Sequence, residues 1–385
     1  MPGNTSEFLI IGGGFAGTAI AYYLARAGSE VRLLEANRLG SGTSGACAGR
    51  AQVIDAHTED YLDLLVAGFR YLSQLPQELD LDLEWELPGH LTLLRNAQEW
   101  QEYSACVERL RARDLPAEML DRKSLQSLEP QLYTQDLLGA SYSLEGHLNP
   151  FRFCLGFAHA ARQAGAAIET GAAVTGWLQQ HGHITGVQTA QASYSAGTVI
   201  LACGAWSGQV LASLGIDFPM KFSHAEAVIT EPLPRLIHHH IGMTGFYEVV
   251  HGQDQTVTLG LGQHPNGTLL ISNAIEKSEQ IDPRSSAWGM PAIARLFAER
   301  FPDLRRVRFL RTWSAPSPYL PDYLPALGWL PGYDNLFVTA GFHLAIPTIP
   351  LLSRQAAAWL VNGESPDWQS TFSPRRLFSP SCSGA

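Results

Sequence analysis

No stretch of the 385 residues approaches the apolar run of about eighteen that a membrane span needs. Charge is sparse, at 16% of residues and net −10, and no local basic run offers a nucleic-acid surface. Arg305, Arg306, Arg308 and Arg311 form the densest basic group, which a solvated strand edge accounts for. Cysteine is scarce. The five residues (Cys47, Cys106, Cys154, Cys203, Cys382) are odd in number and show no Cys-x-x-Cys or metal spacing. They are expected to be small, inert thiols in a reducing compartment. Ahead of Phe8 there is neither a basic region nor an apolar one, so no signal peptide is expected and the location reads as cytoplasmic. Internal repeats and low-complexity linkers are also missing. What remains is a hydrophobic content of 45%, ordinary for a globular enzyme, in a chain long enough for two lobes.

The segment Phe8-Leu-Ile-Ile-Gly-Gly-Gly-Phe-Ala-Gly17 is the strongest positive signal. Phe8 to Ile11 reads as a buried parallel strand. A helical pattern restarts at Phe15, with Ile20, Tyr23, Leu24 and Ala27 on one face and Gly28 as C-terminal cap. Val31 to Leu34 is the next strand, ending at Glu35. Gly12 permits a tight turn, Gly14 lets a pyrophosphate approach the backbone, and Gly17 lets helix and strand pack closely. Free N–H groups at the helix start favour phosphate, and a carboxylate at Glu35 can accept from ribose hydroxyls. The arrangement points to a bound dinucleotide, FAD or NAD(P).

Beyond Glu35, the small-residue stretch Gly40 to Gly49 reads either as a loop reaching the cofactor or as a flexible surface loop. A helix is expected from about Thr58 to Leu75, stopped by Pro76, and charged helices and short strands from Pro76 to Ser143, including Leu87 to Leu94 and Trp100 to Arg111. A helix from Phe151 to Gln163 feeds the strand at Ala167. Strands follow from Val174 to Trp177 and from Ile184 to Thr189, and Thr198 to Trp206 is a buried strand entering a glycine turn. Alternating strands at Ala225 to Thr230, Phe246 to Val250, Thr256 to Leu261 and Thr268 to Ser272 suit an antiparallel sheet, interrupted by a helix from Pro291 to Phe301. Asn335 to Phe342 is a last strand and turn, and a helix from about Thr348 to Leu360 ends at Asn362-Gly363. The nucleotide-binding region is thus expected in separated pieces, 1–75, 145–215 and 318–385, with the antiparallel region, 76–144 and 216–317, inserted between them.

Taken in order, these segments resemble the D-amino-acid oxidase superfamily, in its glycine oxidase and sarcosine oxidase branch. The matching residues are Gly12, Gly14, Gly17 and Glu35; Gly42-Thr43-Ser44; Gly146-His-Leu-Asn-Pro150; Leu201-Ala-Cys-Gly-Ala-Trp-Ser207; Pro321-Asp-Tyr-Leu-Pro325 with Gly328; and Ala340-Gly-Phe342. The resemblance implies an α/β fold: an FAD-binding Rossmann-type (glutathione-reductase-like) domain with an inserted, largely antiparallel α+β substrate domain. It implies non-covalent FAD, since Ala315 occupies the region where monomeric sarcosine oxidases carry a tethering cysteine. The cofactor set it implies is Gly12, Gly14, Phe15, Ala16, Gly17, Glu35, Ala36, Thr43, Ser44, Gly49, Arg50, Val174 (backbone, to the adenine), Cys203, Gly204, Trp206, Gly341, Phe342 and His343. The final helix would aim its N-terminal dipole at the flavin. The chemistry implied is hydride transfer from the carbon beside an amine nitrogen to flavin N5, giving an imine that hydrolyses.

Two departures bear on substrate. Ser317 stands about where glycine oxidases carry a carboxylate-clamping arginine, and Thr348 where monomeric sarcosine oxidases carry a lysine. Candidate substrate-side residues are Arg50, either paired with a carboxylate, placed over the flavin or a surface arginine; His343, either orienting substrate, helping to accept a proton or capping a helix; and Tyr247, either over the substrate or in the core. Gln263 and His264 are weaker candidates. The run His238-His239-His240 lacks carboxylate or cysteine partners and reads as an exposed loop, so no metal is expected. No general base is required if the neutral amine is the species oxidised. Three readings follow: oxidation of an amino-acid or secondary-amine C–N bond, with oxygen or a quinone or partner protein as acceptor; oxidation of a 2-hydroxy-acid C–OH bond; or an FAD-binding subunit of a multi-chain dehydrogenase. A homo- or hetero-oligomer is compatible with each.

Overall fold

The computed structural model describes residues 4–56, 58–244 and 254–378. Its first sheet has eight strands. Thr5–Ile11 lies at the centre, parallel to both Val31–Glu35 and Ser193–Leu201. Ala167–Thr170 extends the sheet beyond Val31–Glu35, and Leu336–Ala340 beyond Ser193–Leu201, both in parallel. The central strands are buried on both faces, so Phe8-Leu-Ile-Ile11 is apolar throughout rather than alternating. The helices Phe15–Arg26, Glu59–Leu72, Pro150–Gln163 and Ala345–Asn362 pack together on one side of this sheet. Gly68 is required there, because a Cβ would lie 1.9 Å from the Pro347 carbonyl oxygen of the last helix.

The second sheet runs in the order Phe309–Tyr319, Lys221–Thr230, Leu269–Ser278, Gln255–Gln263, His240–Met243, His90–Leu94, Gly139–Ser143, Ala117–Asp121. All its pairings are antiparallel except His240–Met243 with His90–Leu94. One face carries Leu91, Val228, Ile241, Leu261 and Ile271 and is covered by Ile293 and Phe297 of the helix Gly289–Arg300. Strand alternation puts His90, His240, Gly242, Gly260, Gly262 and Ser272 on the other face. That face is turned toward the first sheet: Trp313 Nε1 donates to the Ala46 carbonyl at 2.9 Å, and Thr43 Oγ1 to the Pro316 carbonyl at 2.8 Å.

Several expectations need correction. Pro76 does not stop the helix before it. That helix ends at Leu72, and Pro76 starts the short helix Leu75–Glu78, where its missing N–H costs nothing. The final helix begins at Ala345 rather than Thr348, because Pro347 lies in a first turn whose amides lack intrahelical partners. Of the two readings of Gly40–Gly49 the flexible surface loop does not hold: the stretch contains a helical turn, Thr43–Ala46, bonded to the start of the helix Phe15–Arg26 and to the second sheet's strand Phe309–Tyr319. The strand expected at Phe246–Val250 lies outside the described residues. No helix among the described residues is long and apolar enough to cross a membrane.

Candidate active site

The turn after the first strand is shaped by close approach. Gly12 has φ +108°, and a Cβ there would meet the Ala202 carbonyl oxygen at 2.4 Å. A Cβ on Gly17 would lie 1.9 Å from the Gly12 oxygen. Gly14 caps the helix Phe15–Arg26 without a side-chain bond, and the first turn holds no acidic residue. Glu35 accepts from Gly13 N at 2.7 Å and Asn37 N at 2.8 Å, which fixes its carboxylate at the mouth of the turn. Ser44 Oγ accepts from Phe15 N at 3.0 Å. Phe15 itself is buried against Phe153, with ring centroids 4.9 Å apart, so it offers the turn its backbone only. Ala16 is half-buried and Ala36 exposed beside Glu35. Gly171 N and Ala172 N donate to the Asn37 and Glu35 carbonyls, bringing the chain at Val174 to the Glu35 end. Cys203 Sγ donates to the Ile11 carbonyl at 3.4 Å, Gly204 has φ +52°, and Trp206 covers Gly42. A helix start whose cap residue, Gly14, makes no side-chain bond, glycines with no room for a Cβ and the Glu35 carboxylate are a set of groups that fits a dinucleotide's pyrophosphate and ribose.

Thiols around this turn are held protonated: burial pushes Cys154 and Cys203 up to about 12 and Cys47 to about 11.

Arg50 leaves the same segment toward the second sheet. Arg50-Ala51 pairs with Gly146-His147, and Gly49 (φ +73°) is needed because a Cβ would lie 2.1 Å from the Leu148 oxygen. The guanidinium donates to His90 Nδ1 at 2.6 Å and lies 3.8 Å from Glu145 Oε2. Glu145 Oε1 accepts from Val53 N at 2.9 Å and Ile54 N at 3.0 Å, while its buried Oε2 has no hydrogen-bond partner. Burial raises the Glu145 carboxyl to about 7, against the pull of Arg50. Burial, and then the charge of Arg50, hold His90 well below the usual histidine range, consistent with a ring that accepts from a cation.

Beside them, His240 Nε2 and His147 Nδ1 are 3.0 Å apart, and His147 Nε2 lies 3.5 Å from Glu86 Oε2. The His264 ring meets the His147 ring at 5.2 Å. The glycines of the second sheet make the space. A Cβ on Gly262 would fall 2.5 Å from His240 Cε1, and one on Gly242 2.7 Å from His90 Cε1. A small cavity lined by Arg50, His240, Gly260, Gly262 and His264 opens there. It lies between the second sheet and the segment that leads from the glycine turn.

The exposed loop expected at His238 to His240 is therefore corrected. His239 Nδ1 pairs with the buried Glu129 carboxylate at 2.8 Å, and His240 is a buried strand residue. Gln263 is structural: it accepts from Leu236 N and Ile237 N and donates to the Leu233, Pro234 and Gly267 carbonyls. Thr348 is fully buried and donates to the Leu344 carbonyl of its own helix at 2.7 Å. Gly341 has φ +75°; Phe342 and His343 follow half-buried, with His343 6.4 Å from the Tyr323 ring, which stacks on Tyr319. Tyr247 lies outside the described residues. Sequence reasoning missed His90, Glu145 and His240. The alternation Gly260-x-Gly262 inside a strand was the available sign, since glycine there makes room for something else. Among the described residues no group of three His, Cys, Asp or Glu side chains could hold a metal ion.

The family description "FAD dependent oxidoreductase" (DAO) matches residues 7–359, and the chain belongs to that family. It is 29% identical over 374 residues to 4-methylaminobutanoate oxidase (formaldehyde-forming) of Paenarthrobacter nicotinovorans, covering 92% of this chain and 43% of that protein. The chain thus spans less than half the length of that relative. It is 26% identical over 346 residues to glycine oxidase of Geobacillus kaustophilus, covering 88% of each. The crystal structure of L-proline dehydrogenase from P. horikoshii superposes with a TM-score of 0.87 at 24% identity, covering 97% of this chain and 98% of that one. This last likeness concerns the fold.

Proposed function

We propose that the chain oxidises a C–N bond of an amine that also carries a carboxylate. The observation that carries this reading is Arg50, a half-buried guanidinium reaching from the cofactor segment into a small cavity against the second sheet. Two acids act on the guanidinium, Glu145 at 3.8 Å, raised to about 7 by burial, and Asp55, also raised by burial, so the Arg50 charge is only partly answered within the fold. A substrate carboxylate supplies the missing partner in a two-pronged pair. Arg50 takes over the duty that Ser317 and Thr348 do not perform. The names of the relatives, an oxidase of 4-methylaminobutanoate and an oxidase of glycine, are consistent with an amine and a carboxylate in one small molecule.

The cofactor would be held by the backbone at Gly12, Gly14 and Gly17, by Glu35, by the Thr43–Ser44 segment and by the turns at Cys203 and Gly341. FAD bound there supplies a two-electron acceptor for the hydride. The chain's own residues bind and orient. Arg50 fixes one end of the substrate, the glycine face of the second sheet admits the other, and the neutral imidazoles of His90 and His240 add hydrogen-bonding capacity without cationic charge. Tyr247 and His343 remain proposed substrate neighbours.

The test is anaerobic reduction of the purified yellow protein by a panel of sarcosine, 4-methylaminobutanoate, glycine, proline and 2-hydroxy acids. Bleaching by carboxylated amines supports the reading, and re-admitting air then distinguishes oxygen from another acceptor. Bleaching by 2-hydroxy acids alone overturns it.

A further inference from the structure

Amine oxidation as proposed here consumes the neutral amine, whereas an amine arrives at pH 7 mostly as ammonium. A proton must leave the cavity before the hydride does. We propose that His240, His147 and Glu86 form a relay that carries this proton from the cavity to solvent. The inference rests on the functional reading above and goes beyond it, because it assigns a proton path that the anchoring role of Arg50 does not include.

The geometry gives the relay a direction. His240 lines the cavity, and its buried Nδ1 has no hydrogen-bond partner. The glycine at 262 leaves that edge open, since a Cβ there would lie 2.7 Å from Nδ1. Its Nε2 is 3.0 Å from His147 Nδ1, and His147 Nε2 is 3.5 Å from Glu86 Oε2. Glu86 is clamped there, because Glu86 N donates to the His147 carbonyl and His147 N to the Glu86 carbonyl, each at 3.0 Å. Its side chain is 39% exposed, so the last station meets water, while His147 is 2% exposed. His147 Nε2 likewise makes no hydrogen bond within the fold, and the Glu86 charge 3.5 Å from it favours the tautomer with the proton on Nε2. That leaves Nδ1 as acceptor, which in turn places the His240 proton on Nε2 and a bare lone pair on Nδ1 facing the cavity.

The steps balance without electron transfer. The substrate ammonium gives a proton to His240 Nδ1; the His240 Nε2 proton passes to His147 Nδ1; the His147 Nε2 proton passes to the Glu86 carboxylate and on to water. Each ring then carries its proton on Nδ1 and resets by exchange with water between turnovers. The groups facing the pair are Arg50, His90, His264 and Arg235, all neutral or cationic, together with Glu86. Burial followed by these neighbours holds His147 down at about 4 and His240 well below the usual range, so both rings rest neutral and pass a proton without storing one.

The experiment uses the FAD-loaded full chain with sarcosine and 4-methylaminobutanoate as probes, following flavin reduction by anaerobic stopped flow from pH 7 to 10 in wild type, Glu86→Gln and His147→Gln. Glu86 is partly exposed, so its variant folds even where a His147 variant fails. The relay predicts a loss of about tenfold at pH 7 in Glu86→Gln that closes toward pH 10, where the amine arrives neutral. Separately, nitrogen-15 spectra of histidine-labelled protein at pH 7 should show His147 and His240 protonated on Nε2. A loss equal at every pH, no loss at all, or Nδ1 protonation of either ring overturns the relay. Failure of every amine to reduce the wild-type flavin overturns the functional reading, and the relay with it; loss confined to the variants concerns the relay alone.

Discussion

The two faces of the second sheet are made by the same strands and share almost nothing else. One carries Leu91, Ile241, Leu261 and Ile271 under Phe297, closed and dry. The other carries glycine where these strands would ordinarily present bulk, and the space is filled by imidazoles and Arg50. Strand alternation allows this, since every second residue answers to a different environment. Stability is concentrated on the aliphatic face, while the glycine face weakens the strands in exchange for room. Perturbing one face should therefore move a quantity that the other leaves alone.

The largest expected effect on stability comes from Ile271→Ala, which empties a fully buried position on the aliphatic face. The cost should be about 2–5 kcal/mol, read as a lowered denaturation midpoint, with flavin reduction per folded holoprotein within about twofold of wild type. Gly262→Ala on the opposite face should cost less, about 1–3 kcal/mol, because the added methyl meets a ring that can shift. It displaces His240, so the rate of flavin reduction should fall further than stability does. A variant with normal rate and a lowered melting temperature would erase the distinction between the faces.

A smaller effect is expected in the pH dependence of unfolding, measured with urea between pH 4 and 8. His147 titrates near 4 when folded and near 6.5 when not, so the unfolded chain binds the extra proton and stability falls as pH drops through that window. Glu145 acts oppositely. Its carboxyl, raised from 4.5 to about 7, contributes stability at low pH that is lost as pH rises toward 7. His147→Gln should flatten the acid slope by about one proton, and Glu145→Gln should steepen it. Matching slopes in all three proteins would mean that these groups are not buried as described.

The glycine turn was legible because everything it needs is contiguous: an apolar strand, Gly12 to Gly17, an amphipathic helix and Glu35 lie within one βαβ unit. Arg50 was within reach for the same reason, as it closes the small-residue stretch that follows. His90, Glu145, His147 and His240 come from distant segments, and only strand register brings them together. The triplet at His238 to His240 follows Pro232 and Pro234 and looks like a polar loop. Its first member is exposed, its second answers a buried Glu129, and its third turns inward, and composition alone does not distinguish these fates. Glu145 gave no sign either, because its burial depends on the Val53 and Ile54 amides.

The most direct measurement compares two amines matched except for one group, 4-methylaminobutanoate and N-methylpropylamine, with wild type and Arg50→Gln. If Arg50 anchors the substrate, wild type should favour the carboxylated amine in kcat/KM by about a hundredfold or more, and the variant, still holding FAD, should lose most of that preference through KM. An unchanged preference in an FAD-loaded Arg50→Gln protein would contradict the account.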